Sequence, residues 1–120
     1  MDTELDTMRQ SLIGIAAETF RFRGIFERVV GRLDITEQAK YMSQYAWFSK
    51  RVTRALEAAG LRLVDLTGEL YDPGMAVTPL DLDGFEPEDR LYIAQMIEPV
   101  IMQGTDVVRE GTVLLGRIEG

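Results

Sequence analysis

Between residues 3 and 33, apolar side chains recur at alternating steps of three and four. Leu5, Met8, Leu12, Ile15, Phe22, Phe26, Val29 and Leu33 keep this spacing, and Thr19 is the one polar member. The pattern places all of them on one face of a helix with the period of a coiled-coil seam. Asp2 or Thr3 is a suitable cap at its start. Gly14, Gly24 and Gly31 each weaken the helix by up to about 1 kcal/mol against Ala, and fraying is expected near Gly31. The run Asp34-Ile35-Thr36-Glu37 restarts a helix. Asp34 accepts from the first free N–H groups, and Glu37 holds the reciprocal capping-box position. This second helix is expected to reach about Ala59, with Tyr41, Tyr45, Phe48, Val52 and Ala55/Leu56 as its apolar stripe. Gly60 is then the residue just past the helix, and Leu61 the apolar contact that accompanies it.

After Gly60 the period changes. Leu61, Leu63 and residues 64–66 read as a strand ended by Thr67-Gly68, and Met75-Ala76-Val77 as another. Residues 79–90 are polar and turn-rich, with Asp83-Gly84 as the tightest turn. Leu91–Ile97 is a β-compatible run that Pro99 interrupts. Val100–Met102, Val107-Val108, Val113–Leu115 and Ile118 follow, separated by expected turns at Gln103-Gly104 and Glu110-Gly111. The glycines at 104, 111 and 116 read as hairpin turns. Short strands at this spacing predict a small β sandwich or barrel. The expected class is α+β, with a helical dimerisation region at 1–60 and a small all-β domain at 61–120.

A first helix of this length spans about 45 Å. With one shorter partner it cannot bury Phe20, Phe22, Phe26, Trp47 and Phe48 together, and Phe20 and Trp47 fall outside the main stripes. The surplus predicts a two-fold homodimer with a four-helix bundle. Leu5, Met8, Leu12, Ile15, Phe22, Phe26, Val29, Leu33, Tyr45 and Phe48 are the expected dimerisation residues. In the alternative, the C-terminal half covers them.

Composition narrows the chemistry. The 120 residues include no Cys and no His, which excludes disulfides, thiolate metal sites and Ser-His or Cys-His nucleophiles. No stretch approaches the roughly 18 apolar residues of a membrane span. The start, MDTELDTMRQ, lacks a signal peptide's basic and apolar regions, so a soluble, cytoplasmic protein is the default. Net charge is −7, and residues 61–120 hold twelve Asp/Glu against four Lys/Arg. That half repels phosphates and argues against nucleic acid. Arg21, Arg23, Arg28 and Arg32 are expected to flank the seam of helix one and pair with acids across it.

The acid-rich DLDGFEPED, 81–89, lacks the spacing of a calcium loop and reads as a solvated loop. Asp72 reads as an Asx-turn acceptor rather than a catalytic acid. The cadence of residues 107–119 compares poorly with lipoyl or biotinyl carrier domains, because the only lysines are Lys40 and Lys50. No phosphate-binding glycine motif is present. The expectation is a non-enzyme without metal or other cofactor.

One stretch carries a family likeness. In LEAAGLRLVDLTGELYDP, 56–73, a helix ends in Gly60 and a short run leads to Gly-Glu-Leu-Tyr-Asp-Pro. This resembles the GrpE family, the nucleotide-exchange factors of DnaK-type chaperones, with Tyr71 in place of the usual Phe. QGTDVVREGTVLLG, 103–116, is similar to the family's C-terminal Gly-turn and strand, and the likeness covers about residues 36–116. The chain departs from the family after Pro73, where Gly74-Met75 replaces His-Glu. It departs again at Pro99-Val100, Thr105 and Glu110-Gly111, and most of the long N-terminal stalk is absent. The resemblance implies a dimer whose β domain binds the open form of the chaperone's ATPase domain, loosening ADP by linkage. It places Met102, Gln103, Asp106 and Arg109, with Met75, against that partner, and makes residues 68–73 the joint between the two regions. The departures motivate the alternative of an adaptor dimer that has lost exchange activity. No membrane or nucleic-acid partner is implied.

Overall fold

The computed structural model of the chain describes residues 2–119. It is α+β: two helices, then six strands in two small sheets. The chain divides into two compact units, one running to Arg62 and the other from Leu63.

Helix α1 spans Asp2–Val30. Thr3 therefore already lies inside it, and its carbonyl accepts from the Thr7 hydroxyl at 2.9 Å. The helix stops at the expected place. The Gly31 N–H still bonds the Glu27 carbonyl, but Arg32 and Leu33 tighten to Val29 and Val30. Helix α2 spans Ile35–Ala58, capped by Asp34, whose carboxylate accepts from the Glu37 N–H at 2.9 Å. The Gln38 amide donates to the Leu33 carbonyl at 2.7 Å and so fastens the connecting turn. At the far end Gly60 takes φ +79°, and its N–H bonds the Glu57 carbonyl. Only glycine adopts that left-handed exit without strain.

Strands β1 (Leu61–Val64), β4 (Val100–Gln103) and β5 (Asp106–Arg109) form one sheet in the order β1-β4-β5. Strands β2 (Val77–Pro79), β6 (Gly111–Arg117) and β3 (Leu91–Glu98) form the other in the order β2-β6-β3. β2 runs parallel to β6, and β3 antiparallel. β2 is an edge strand, which is why it tolerates Pro79. β3 carries two register shifts, between Ile93 and Gln95 and between Met96 and Glu98. Each adds a residue, so Ile93 and Met96, three apart, are both buried. β6 alternates cleanly, with Gly111, Val113 and Leu115 buried.

The chain changes sheet three times, first over the long connection from β1 to β2 and then twice through a single residue. Fully buried Pro99 is the single residue between β3 and β4, and Glu110 stands between β5 and β6. One carboxylate ties both single-residue crossings: Glu98 accepts from Arg109 Nη2 at 3.0 Å and from the Thr112 hydroxyl at 3.0 Å. The expected turn at Glu110-Gly111 is therefore not a hairpin, because β5 and β6 belong to different sheets. Gly111 and Gly116 are likewise not turn residues. A Cβ on Gly111 would meet Met96 Cε at 2.8 Å and the Glu98 carbonyl at 3.0 Å, and one on Gly116 would meet the Tyr92 ring at 2.6 Å. Both let neighbouring chain pack against the flat of β6. Gly104, at φ +62°, does turn the β4–β5 hairpin.

Residues 68–73 lie along β3. Gly68 and Tyr71 donate to the Ile93 and Leu91 carbonyls, Ile93 donates back to Glu69, and Leu70 faces Tyr92 across an antiparallel bridge. The Asp72 carboxylate then accepts from the Gly74 N–H at 2.9 Å, the Asx turn its sequence context predicts.

Candidate functional site

The β4–β5 hairpin brings together four of the five residues expected to meet a partner. Gln103 pairs with Asp106, Met102 with Val107 and Ile101 with Arg109, around the Gly104 turn. Ile101 is fully buried and holds the hairpin down, while Met102 and Gln103 are half-buried and Asp106 is exposed. Arg109 is engaged with Glu98 at 3.0 Å and keeps about a third of its side chain in solvent. Met75 lies elsewhere in the chain, in the turn that leads into β2. Its sulfur accepts from the Asp72 N–H at 3.2 Å. Val107, exposed beside Met102, belongs to the same surface and escaped the sequence reading. Asp-Val-Val-Arg does not alternate, and only the pairing of Val107 with Met102 places it there.

On the helical unit the long apolar stripe faces solvent in the single chain. Leu5, Met8, Leu12, Ile15, Phe22, Val29 and Leu33 are all exposed, Ile15 by 62%. The buried residues of α1 are Ile13, Ala16, Ala17 and Val30. At 100° per residue the two sets are centred about a third of a turn apart. Large apolar residues mark the first face in the sequence; the second, built largely on Ala16 and Ala17, has no such stripe.

An aromatic ladder joins the helices. Phe22 tilts against Phe26 at 6.2 Å, Phe26 stacks on Tyr45 at 5.5 Å, and Tyr45 tilts against Phe48 at 6.1 Å. Phe26 and Tyr45 thus already use one ring face within the chain. Burial pushes the Tyr45 phenol above its usual value of 10.0, and Glu27 adds to this, while Arg23 and a hydrogen bond with Ser49 oppose it. Arg23 pairs with Glu27 one turn along its own helix at 3.1 Å and also lies over the Phe20 ring. Trp47 is 62% exposed, with the Arg51 guanidinium 4.2 Å above its ring.

The acids of 81–89 have structural work. Asp81 accepts the Leu115 N–H at 3.1 Å, stitching the loop to β6, and Asp89 accepts the Glu86 N–H at 2.9 Å. Among the described residues no group of carboxylates is placed to hold a metal ion, and no helix is long and apolar enough to cross a membrane. No protein-family model, curated protein or solved structure matches the chain.

Proposed function

We propose that this chain is a GrpE-like binding protein of the cytoplasm that dimerises through α1 and α2. Its hairpin docks on the ATPase domain of a DnaK-type chaperone and promotes ADP release. One observation carries the dimer: six large apolar residues of one α1 face, with Leu33 in the turn beyond it, stand in solvent on an otherwise folded helix pair. Monomeric proteins rarely leave so long an apolar strip uncovered. The exchange role draws its support from the residues of 56–73 and 103–116 that resemble the family. The element order agrees with that likeness, since two helices precede six short strands; residues 68–73 are not the joint it implies, because the units divide after Arg62 and this stretch pairs with β3 inside the second unit.

The mechanism asks for no chemistry from this chain. Met102 and Val107 offer an apolar pair on one face of the hairpin, and Asp106 a charge beside its turn, a mixture suited to a transient contact. A factor that binds the open ATPase domain better than the closed one lowers ADP affinity by the same ratio. Stopped-flow release of a fluorescent ADP analogue from a DnaK-type chaperone tests this. Release should accelerate with added protein, and Asp106→Arg should abolish the gain. Unchanged release at saturation eliminates exchange.

The adaptor reading has its own observation. Arg109, the cation expected at the interface, is already committed to Glu98. An adaptor would bind the chaperone in a pull-down and leave ADP release untouched.

A further inference from the structure

A second surface lies on the β unit, apart from the hairpin. Residues 70–73 and 82–91 enclose a groove of about 570 Å³, within the range of ligand pockets. Tyr71, Phe85 and Leu91 are its half-buried floor, and Leu70 and Leu82 are its lips, 59% and 44% exposed. Leu80, also exposed, stands two residues before Leu82 and lengthens the apolar run of that loop.

The groove is built in advance of any occupant. Pro73 and Pro87 fix the backbone of its two walls. The Phe85 N–H bonds the Leu82 carbonyl, the Asp89 N–H bonds the Glu86 carbonyl, and Asp89 accepts back from Glu86. On the other wall Tyr71 is bonded to Leu91. A preformed apolar cleft spends little ordering entropy on binding.

Two further features say what fits it. The first is charge. Asp83, Glu86 and Glu88 are exposed on the wall loop, against the single Arg90. The second is the edge. The bridge to β3 uses the Tyr71 N–H and the Glu69 carbonyl. In that antiparallel pattern Leu70's own amide and carbonyl point away from β3, along the lip of the groove. An outward backbone edge beside an apolar cleft is the arrangement that receives an added strand.

We propose that this groove binds an extended segment of a partner protein, with a large apolar anchor flanked by Lys or Arg. The anchor enters between Leu70 and Leu82, the flanking cations meet Glu86 and its neighbours, and the backbone runs beside Leu70. The site shares no residue with the hairpin and goes beyond the exchange reading.

Methyl NMR on the full chain tests it with three unlabelled synthetic peptides. One has two central leucines between paired lysines. In the second the lysines become glutamates, and in the third the leucines become serines. The lysine–leucine peptide should shift the methyls of Leu70, Leu82 and Leu91 in a saturable titration, and salt should weaken it. Leu82→Ser, at an exposed position, and Glu86→Lys should each reduce affinity about tenfold with the folded spectrum intact. The proposal is overturned if the glutamate peptide binds as well, or if no methyl of the groove responds. It is also overturned if dilution of the protein alone moves those methyls, since a second copy then fills the groove.

Discussion

Replacing Ile15 by Asp tests the apolar face of α1 most directly. Ile15 is 62% exposed in the single chain, so the substitution removes little that the folded monomer uses. Its cost there is the helix-propensity difference, about 0.3 kcal/mol. In the proposed dimer the same position is covered. Full burial of an isoleucine is worth about 1.5–3 kcal/mol, so covering the exposed part contributes about 1–2 kcal/mol per copy and about 2–4 kcal/mol for a symmetric pair. Loss of that alone weakens dimerisation by about 30- to 700-fold. Desolvating two facing carboxylates adds to the loss. Sedimentation velocity across a concentration series should show a dimer for the native chain and a monomer for Ile15→Asp, both with the same helix content by circular dichroism. Gln10→Asp, on the opposite side of the helix, should leave the dimer intact. A native chain that sediments as a monomer at every concentration refutes the argument, and so does an Ile15→Asp dimer of unchanged affinity.

Gly116→Ala puts a Cβ 2.6 Å from the Tyr92 ring and should cost about 1–3 kcal/mol in urea unfolding. In a Tyr92→Ala background the same change should cost less than about 0.5 kcal/mol, because the obstructing ring is gone. Asp81→Ala removes the acceptor of the Leu115 N–H and should lower stability by about 1–3 kcal/mol. Hydrogen exchange at the Leu115 amide should accelerate with it. Tyr45 holds its proton more tightly folded than unfolded, so above pH 10 the folded state binds more protons and stability falls as pH rises through the folded pKa. Tyr45→Phe should flatten that alkaline decline, read by denaturant midpoints between pH 9 and 11.

What the sequence disclosed and what it hid follow from the range of the forces involved. Helix ends are local. Asp34 and Gly60 announce themselves because a cap and a left-handed exit depend on a few neighbouring residues. The exposed stripe of α1 was legible because large apolar residues at a fixed period stand out. The face marked by Ala16 and Ala17 was not, because small side chains carry little hydrophobic signal and their burial depends on what approaches them. The β unit divides the same way. Gly104 was read correctly as a turn, since its φ is a local demand. Gly111 and Gly116 were misread, because the atoms that forbid a side chain there come from β3 and from Val100, eleven to twenty-four positions earlier in the chain. Arg109 lay in the same blind spot, as its partner Glu98 is defined only once the two single-residue crossings are built. The groove at Leu70 and Leu82 joins two loops whose meeting no local pattern encodes.

The apolar face and the groove lie in different units of the chain, which makes their roles separable by valence. A dimer held through α1 presents two grooves, one per copy. A single lysine–leucine peptide then binds each groove independently, and Ile15→Asp should leave that affinity unchanged. A tandem peptide joined by a flexible linker long enough to reach both grooves gains from effective concentration, by about 10²-fold or more when the geometry allows. Ile15→Asp should erase that gain without touching the single-peptide affinity. Leu82→Ser should do the reverse, lowering the single-peptide affinity while the chain still sediments as a dimer. If Ile15→Asp instead weakens the single peptide, the groove depends on the paired state and the independence of the two surfaces is refuted.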